Sequence, residues 1–432
     1  MSELFQANLD IIRRRWPDMA ACLLSVTSEA IDALGPTLIE GHQQTISVGG
    51  KQLSSRHDRD KEAALLLSHI KDGGDPLMIF GMGLGDVPAL ALARWPERRV
   101  ELCLMSAAVT AMVLHFTDQT GWLNNPRISF RRPVWSDCYR GPWTAIIPEL
   151  QLADTEVLKV RDHLYLELQR PFVDLQHQIA EKEAAPRIEQ TVEKLTSLPD
   201  VSSLFINQKS PIVVIGSGPS LEQAYAWLKK QKNDLPNMGI IAADTAHKAL
   251  ISHGIVPDIV VTMDAKISVA HLEIAHSALS TLVCFPTTDP LLIDAWQGPC
   301  VAALTKSPTQ DKFGSHTQLT RLFSGGSVIH PALDIAAKSA TNKIILCGCD
   351  FGFPGGKSHA FWEDGILGVS HDNAGHNVLS YQGINIATTL NMRGYLLAVE
   401  VFIKRHPHIQ FLNHSALGAK IEGCPPLGSE SL

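Results

Sequence analysis

The chain of 432 residues contains no run of the roughly 20 apolar residues that a membrane-spanning helix needs, so no transmembrane segment is expected. It also lacks an excess of positive charge. With 37 Lys and Arg against 44 Asp and Glu, the net charge of −7 removes the electrostatic case for a nucleic-acid partner. The first residues, MSELFQANLDIIRRRWPD, have neither the apolar centre nor the small-residue cleavage site of a signal peptide, and read as an amphipathic helix. Cysteine is sparse, and the eight residues (Cys22, Cys103, Cys138, Cys284, Cys300, Cys347, Cys349, Cys424) are scattered. Cys347 and Cys349 flank Gly348 in an apolar strand, a spacing that suits neither a zinc knuckle nor a redox pair. They read as reduced core residues, which points to the cytoplasm. No HExxH or other metal-ligand spacing occurs, no P-loop Gly-Lys-Ser/Thr follows either glycine-rich turn, and no tandem repeat is visible.

What is present is an alternation of short apolar strands with amphipathic helices. The length favours two domains and a smaller appendage. PLMIF (76–80) is read as a strand, followed by GMGLGD, the helix VPALALARW and the strand RVELCLMS (99–106). The stretch before it reads as helical and then polar, with a short helix over 60–70. Charged helical sequence broken at Pro186 fills 151–197. The second set of strands is PIVVI (211–215), MGIIAA (238–243), DIVVTM (258–263), LVCFP (282–286), VAAL (301–304) and KIILCGCD (343–350). A helix over 384–406 and a closing strand, IQFLN, follow. This alternation implies parallel sheets with helices on both faces, hence an α/β protein with two Rossmann-like, doubly wound domains and a helical C-terminal segment. The boundaries are set at 1–150, a helical connection over 151–200, a catalytic domain over 201–378, and a closing helix and strand over 379–432.

Chemistry is expected where strands end. After PIVVI, Gly216 makes a tight turn, and Gly218 lets backbone approach a ligand without a Cβ in the way. Pro219 suits a first helical position, and Leu221, Ala224, Tyr225 and Leu228 share one helical face. The free N–H groups there, with the hydroxyls of Ser217 and Ser220, form a site suited to phosphate. A tight strand–helix connection would read the same way. Leu221 stands where a dinucleotide fingerprint needs its third glycine. Asp244, next to Thr245, and Asp264 and Asp350 each stand at the carboxyl end of a strand, the edge where doubly wound sheets bind ligands. Asp244 reads equally well as a helix N-cap. Gly325, Gly326 and Ser327 open a further helix, whose start near Ser327 is fixed by Pro331. Among the histidines, His359 lies on a loop leaving the same edge, and His371 competes with it as a general base.

The order GSGPSL, IIAADTAHKALISHGIVPDIVVTMDA, GGSVIHPALDIAAKSATNKIILCGCDFGF and GKSHA resembles the central, MptE-like domain of the motility accessory factor (Maf) family of flagellin glycosyltransferases. The turn, the glycine/serine helix start and the G-x-D strand end also resemble bacterial sialyltransferases that use CMP-sialic acid. SSRHDRDKEAALLL and IFGMGLG upstream, with FLNHSALGAKIEG downstream, extend the resemblance over most of the chain. It implies a sialyltransferase-like central domain (a GT-A variant) that moves a pseudaminic- or legionaminic-type sugar from CMP to flagellin Ser/Thr. The donor would lie on Gly216, Ser217, Gly218, Pro219, Ser220, Asp244, Thr245, Asp264, Gly326 and Ser327, with catalysis by His359, Asp350 and His371 and no required cofactor or metal. Two departures stand out. Ser217 replaces the sialyltransferases' Asn. Ser106 stands where the family shows an acidic residue, so GMGLG (81–85) is expected to be structural rather than a site for S-adenosylmethionine or NAD. The alternatives are a 6-hydroxymethylpterin pyrophosphokinase using ATP and magnesium, and a flagellin-binding assembly factor without turnover.

Overall fold

The computed structural model describes residues 2–134, 137, 141–205, 209–314, 318–339, 341–368 and 370–428, with backbone alone across 171–183. Cys138 lies outside the described residues. The chain divides into two compact units, Met1–Leu168 and Gln169–Leu432.

The first unit opens with helices Glu3–Arg15 and Pro17–Leu24, whose apolar faces (Leu9, Ile12, Leu23) enter the core, and Ser28–Ala33, of which Ile31 packs partly buried against it. The polar stretch after them is a small antiparallel sheet of β1 (Thr37–Ile39), β2 (Thr45–Val48) and β3 (Lys51–Gln52), not a loop. Helix Arg59–Leu66 follows, capped by the Asp58 carboxylate, which accepts the Lys61 N–H at 2.8 Å. The main sheet contains β4 (Leu77–Phe80), β5 (Val100–Cys103), β6 (Ile128–Arg131) and β7 (Trp143–Ala145) in the parallel order β6-β5-β4-β7. Strand order therefore reverses between β4 and β7. Leu77 and Ile79 face one apolar cluster while Met78 and Phe80 face another, as a sheet buried on both sides requires.

A helix of 38 residues, Leu158–Leu195, runs through Pro186 rather than breaking there. A proline removes one N–H bond from the ladder, and the neighbouring bonds are enough to carry the helix across.

The second unit is built on seven parallel strands: β8 (Ile212–Ile215), β9 (Gly239–Ala243), β10 (Ile259–Thr262), β11 (Thr281–Cys284), β12 (Cys300–Ala302), β15 (Lys343–Cys347) and β18 (Gln410–Asn413). Their order is β12-β11-β10-β9-β8-β15-β18, so the chain works outward from β8 and then returns to its other side. Alternate residues of β8 meet different helices. Ile212 and Val214 pack with Leu333, Ala336 and Phe402, whereas Val213 and Ile215 pack with Leu221, Ala224 and Leu228. The α/β class and parallel sheets expected from the sequence are present.

Three local expectations change. The segment after Gly218 is a 3-10 turn, Pro219–Gln223, before the α-helix Tyr225–Asp234 begins. From the end of VAAL (301–304) to KIILCGCD (343–350) no further strand is read from the sequence, yet Leu304–Thr305 (β13) pairs in parallel with Arg321–Leu322 (β14). The helix expected over 384–406 starts only at Leu390, because Asn385–Thr388 (β17) forms an antiparallel hairpin with His376–Leu379 (β16). Thr389 then caps the helix, accepting the Met392 N–H at 3.3 Å.

Candidate functional site

In the second unit, strand order reverses between β8 and β15, and a crevice for ligands opens beyond the carboxyl ends of such a pair. The two turns there are laced together: Gly216 N–H donates to the Cys347 carbonyl and Gly218 N–H to the Gly348 carbonyl, both at 2.8 Å. A Cβ on Gly218 would stand 2.5 Å from Asp350 Oδ2 and 2.7 Å from the Gly348 oxygen, so only glycine fits this approach. Asp350 is 2% exposed and accepts three bonds, from Ser220 N–H (2.8 Å), Ser220 Oγ (2.5 Å) and Ser415 Oγ (3.2 Å). Burial pushes its pKa up, and the Ser220 and Ser415 bonds oppose that rise. Asp350 and Ser220 thus satisfy each other behind the turn. The N–H and hydroxyl of Ser220, expected to face a phosphate, are engaged there.

The open side is formed by other residues. Ser217 and Gly218 are partly exposed, and the Thr245 hydroxyl donates to Ser217 Oγ at 2.8 Å, which leaves the Ser217 hydrogen to be given elsewhere. Asp244 is the first residue of helix Asp244–Ser252 rather than its N-cap, which is Ala243. Its Oδ1 accepts the Thr245 N–H at 2.7 Å, whereas Oδ2 is buried without a hydrogen-bond partner. Burial is the main force lifting the Asp244 pKa to about 7; the neighbouring Thr262 hydroxyl and Thr245 N–H oppose it, and the Asp264 charge adds to it. Asp264 itself is exposed, in a tight turn where Oδ1 accepts the Lys266 N–H at 2.9 Å.

The Gly325–Ser327 turn is arranged differently from its expectation. Helix Ile329–Lys338 begins two residues after Ser327. The N–H groups of Gly325 and Ser327 both donate to Nδ1 of His330, at 3.1 Å each. Gly326 is exposed, with φ +95°, and its Cα backs onto the Tyr395 ring. Burial is the main cause of a raised Tyr395 pKa, and the Asp264 charge adds to it, so the two groups lie within electrostatic reach of each other.

The loop after β15 returns over the same edge. Ala360 N–H donates to the Ser217 carbonyl at 2.8 Å and the Trp362 indole to the Thr245 carbonyl at 2.9 Å, so the loop is fastened to both open-side residues. His359 is partly buried, its Nδ1 has no hydrogen-bond partner, and desolvation lowers its pKa against the pull of Asp364. An imidazole so placed is neutral near pH 7 and able to accept a proton. The His371 N–H donates to the same Asp364, at 3.1 Å, and its ring stands edge-on to Phe353. His330, Tyr395 and Trp362 were missed by sequence reasoning. The available signal for His330 was a polar residue inside the apolar helical run Ile329–Ala336.

In the first unit the glycine turn over 81–85 already holds an anion-type partner. Glu149 Oε1 accepts the N–H groups of Met82 (2.8 Å) and Gly83 (2.5 Å), and the side chain is fully buried. Burial pushes its pKa up to about 7, with the two N–H bonds opposing. Ser106 caps helix Ala107–Phe116, accepting the Val109 N–H at 3.4 Å. Among the described residues, no group of three or more His, Cys, Asp or Glu is placed to hold a metal ion, and no helix is long and apolar enough to cross a membrane. The seven described cysteines are free thiols.

Residues 186–356, which carry strands β8 to β15 and the two turns at this edge, match the family described as 6-hydroxymethylpterin diphosphokinase MptE-like. The MptE-like resemblance of the central motifs therefore holds for that part of the chain. No curated protein matches the chain. Among solved structures, it is similar to a Maf glycosyltransferase from Magnetospirillum magneticum AMB-1, with 15% identity over 100% of this chain and 75% of that one, and a TM-score of 0.43. A hydrogen sulfide-producing enzyme from Fusobacterium nucleatum has 10% identity over 75% of this chain and 99% of its own, with a TM-score of 0.13.

Proposed function

We propose that the chain is a glycosyltransferase of sialyltransferase-like (GT-A variant) build that moves a nonulosonic acid from its CMP donor to Ser/Thr hydroxyls of flagellin in the cytoplasm. The carrying observation is the set of polar groups on segments that meet at the β8–β15 edge: the Ser217 hydroxyl beside Thr245, the exposed Asp264, and the part-buried His359, whose buried Nδ1 has no hydrogen-bond partner. The sugar and the acceptor come from the motif resemblance. In this reading the donor phosphate meets Ser217 and the Gly326–Ser327 turn, Asp264 and Thr245 hold the nucleoside, and Asp350 braces the turn from behind. The bond from the sugar's anomeric carbon to the CMP oxygen breaks and CMP leaves with the electron pair. The acceptor oxygen bonds to that carbon while its proton passes to His359. His371 is the second candidate for this base.

A magnesium-dependent pyrophosphokinase is the other reading, favoured by the description of the matching family and by the carboxylates of Asp244 and Asp264, which stand after neighbouring strands β9 and β10. The two separate in a thermal-shift series of CMP, UMP, GDP and ATP with and without magnesium. CMP should stabilise the protein without the metal, by about 2.7 kcal/mol at a hundredfold excess over its dissociation constant. Stabilisation by ATP with magnesium, and none by CMP, would favour the pyrophosphokinase instead.

A further inference from the structure

His330 is completely buried in the first turn of helix Ile329–Lys338, its ring edge-on to those of Phe323 and Tyr395. A histidine in such surroundings is costly unless both ring nitrogens are used. They are. Nδ1 accepts from Gly325 N–H and Ser327 N–H, so it carries no proton. The proton therefore sits on Nε2, which donates to the Tyr395 carbonyl at 3.1 Å. The ring is thus a bridge with a fixed direction, accepting from the glycine turn and donating to helix Leu390–Arg405. The turn follows its placement closely: Gly326, at φ +95°, lies so near the Tyr395 ring that a Cβ there would be 2.8 Å from Cε1. Phe323 closes the pocket edge-on to the imidazole, with ring centres 5.5 Å apart.

Two N–H groups of the turn that leads into the helix, which could otherwise be offered to a ligand, are spent on this ring. What remains at the surface is the exposed Gly326, the part-exposed Tyr395 ring and Ser327, whose oxygen accepts the Ile329 N–H at 3.4 Å and whose hydrogen is left to give. We propose that His330 is a positioning residue for the nucleotide site: without touching the ligand, it fixes Gly325–Ser327 against Tyr395 so that the Ser327 hydroxyl stands on the same edge as Asp264. This rests on the reading that a nucleotide binds at that edge.

Isosteres separate the two halves of the bridge. In His330→Asn the amide oxygen lies near the place of Nδ1 and can accept from the turn, while the Tyr395 bond is lost. In His330→Gln the amide nitrogen lies near the place of Nε2 and can donate to Tyr395, while the turn loses its acceptor. His330→Ala loses both. Amide hydrogen exchange at Gly325 and Ser327 in the full chain reads positioning without any ligand. It should quicken by about tenfold or more in the Gln and Ala variants and stay near wild type in Asn. CMP affinity should follow the same split, with Asn within about threefold of wild type and Gln and Ala weaker by about tenfold or more. A merely structural histidine would lower thermal stability in all three variants while folded protein bound CMP equally, and that result would overturn the proposal. So would unchanged exchange in the Ala variant. If the wild type binds no CMP, the donor reading fails separately, and exchange alone decides whether His330 positions the turn.

Discussion

Gly81–Gly85 and Gly216–Ser220 each follow the first strand of a parallel sheet, where strand order reverses, and each is met by a buried carboxylate. The carboxylates take different places. Glu149 sits in the centre of its turn, on the N–H groups of Met82 and Gly83, where a phosphate oxygen would have to lie. Asp350 holds the far end of its turn, at Ser220, and the Gly216 and Gly218 N–H groups go to carbonyls after β15, so what remains open is Ser217, partly exposed beside Thr245. Glycine content does not separate a binding turn from a closed one. The separation lies in whether a side chain of the protein fills the centre of the turn, as Glu149 does, or a polar group there stays exposed, as Ser217 does.

The sharpest test of the open turn, on the proposed transferase reading, is the residue assigned as its base. His359→Ala should slow sugar transfer by about two to four orders of magnitude, the usual scale for a positioned base, and leave the CMP dissociation constant nearly unchanged. Single-turnover transfer and a CMP titration on the same preparation measure both. Normal transfer by this variant, with loss in His371→Ala, would move the base to His371 and keep the site.

The closed turn can be tested through its charge. The Glu149 carboxyl titrates near 7 when folded and near its ordinary value, about 4.3, when unfolded. Between those values the folded chain holds a proton that the unfolded chain has released. Its contribution to stability is therefore greatest below about pH 4 and is lost as the pH rises to about 7. Glu149→Gln keeps the oxygen that accepts from Met82 and Gly83 and removes the charge. The variant should exceed wild type by roughly 3–4 kcal/mol at pH 8 and differ little near pH 4. Denaturant curves at the two pH values check it. Equal stability at both would mean that the cradle tolerates a charged carboxylate at no cost.

Asp264→Ala probes the open turn again, on its donor side. The side chain is exposed and closes a tight turn through the Lys266 N–H, so its loss should spare the fold. CMP binding should weaken by about 1–3 kcal/mol, the cost of leaving a ligand group without its hydrogen-bonded carboxylate. Isothermal titration of wild type and variant gives the difference, and unchanged affinity would remove Asp264 from the site.

The strands were legible because sheets buried on both faces leave continuous apolar runs such as IVVI and KIILC, whose ends fall within a few residues of those read from sequence. The hairpin at 376–388 was not, since INIAT continues into an amphipathic helix with no glycine or proline between them. Its one warning was Thr389, a capping residue placed just before Leu390. The site divides along the same line. Ser217, Asp244 and Asp264 follow from strand ends, which are local. Which N–H groups stay available depends on Glu149 and Asp350, which arrive from distant sequence, and on the ring of His330, which is close in sequence but whose orientation is set by helix Leu390–Arg405.

The smallest expected effect separates backbone strain from chemistry at the closed turn. Gly83 has φ +57°, a left-handed conformation that costs an L side chain roughly 1–2 kcal/mol. Space is not the obstacle there, because the nearest atoms to an added Cβ are 3.6 Å away, on Ile146 and Leu53. Gly83→Ala should therefore fold and lose only about 1 kcal/mol of stability, from strain alone. If Glu149 has closed this turn, CMP affinity should be unchanged in the folded variant, whereas a turn that binds the nucleotide would lose affinity as its N–H groups shifted. Melting curves and a CMP titration on one sample give both numbers. A selective loss of CMP binding would make the first unit the nucleotide site, and Glu149 a lid on its anion cradle that the ligand displaces.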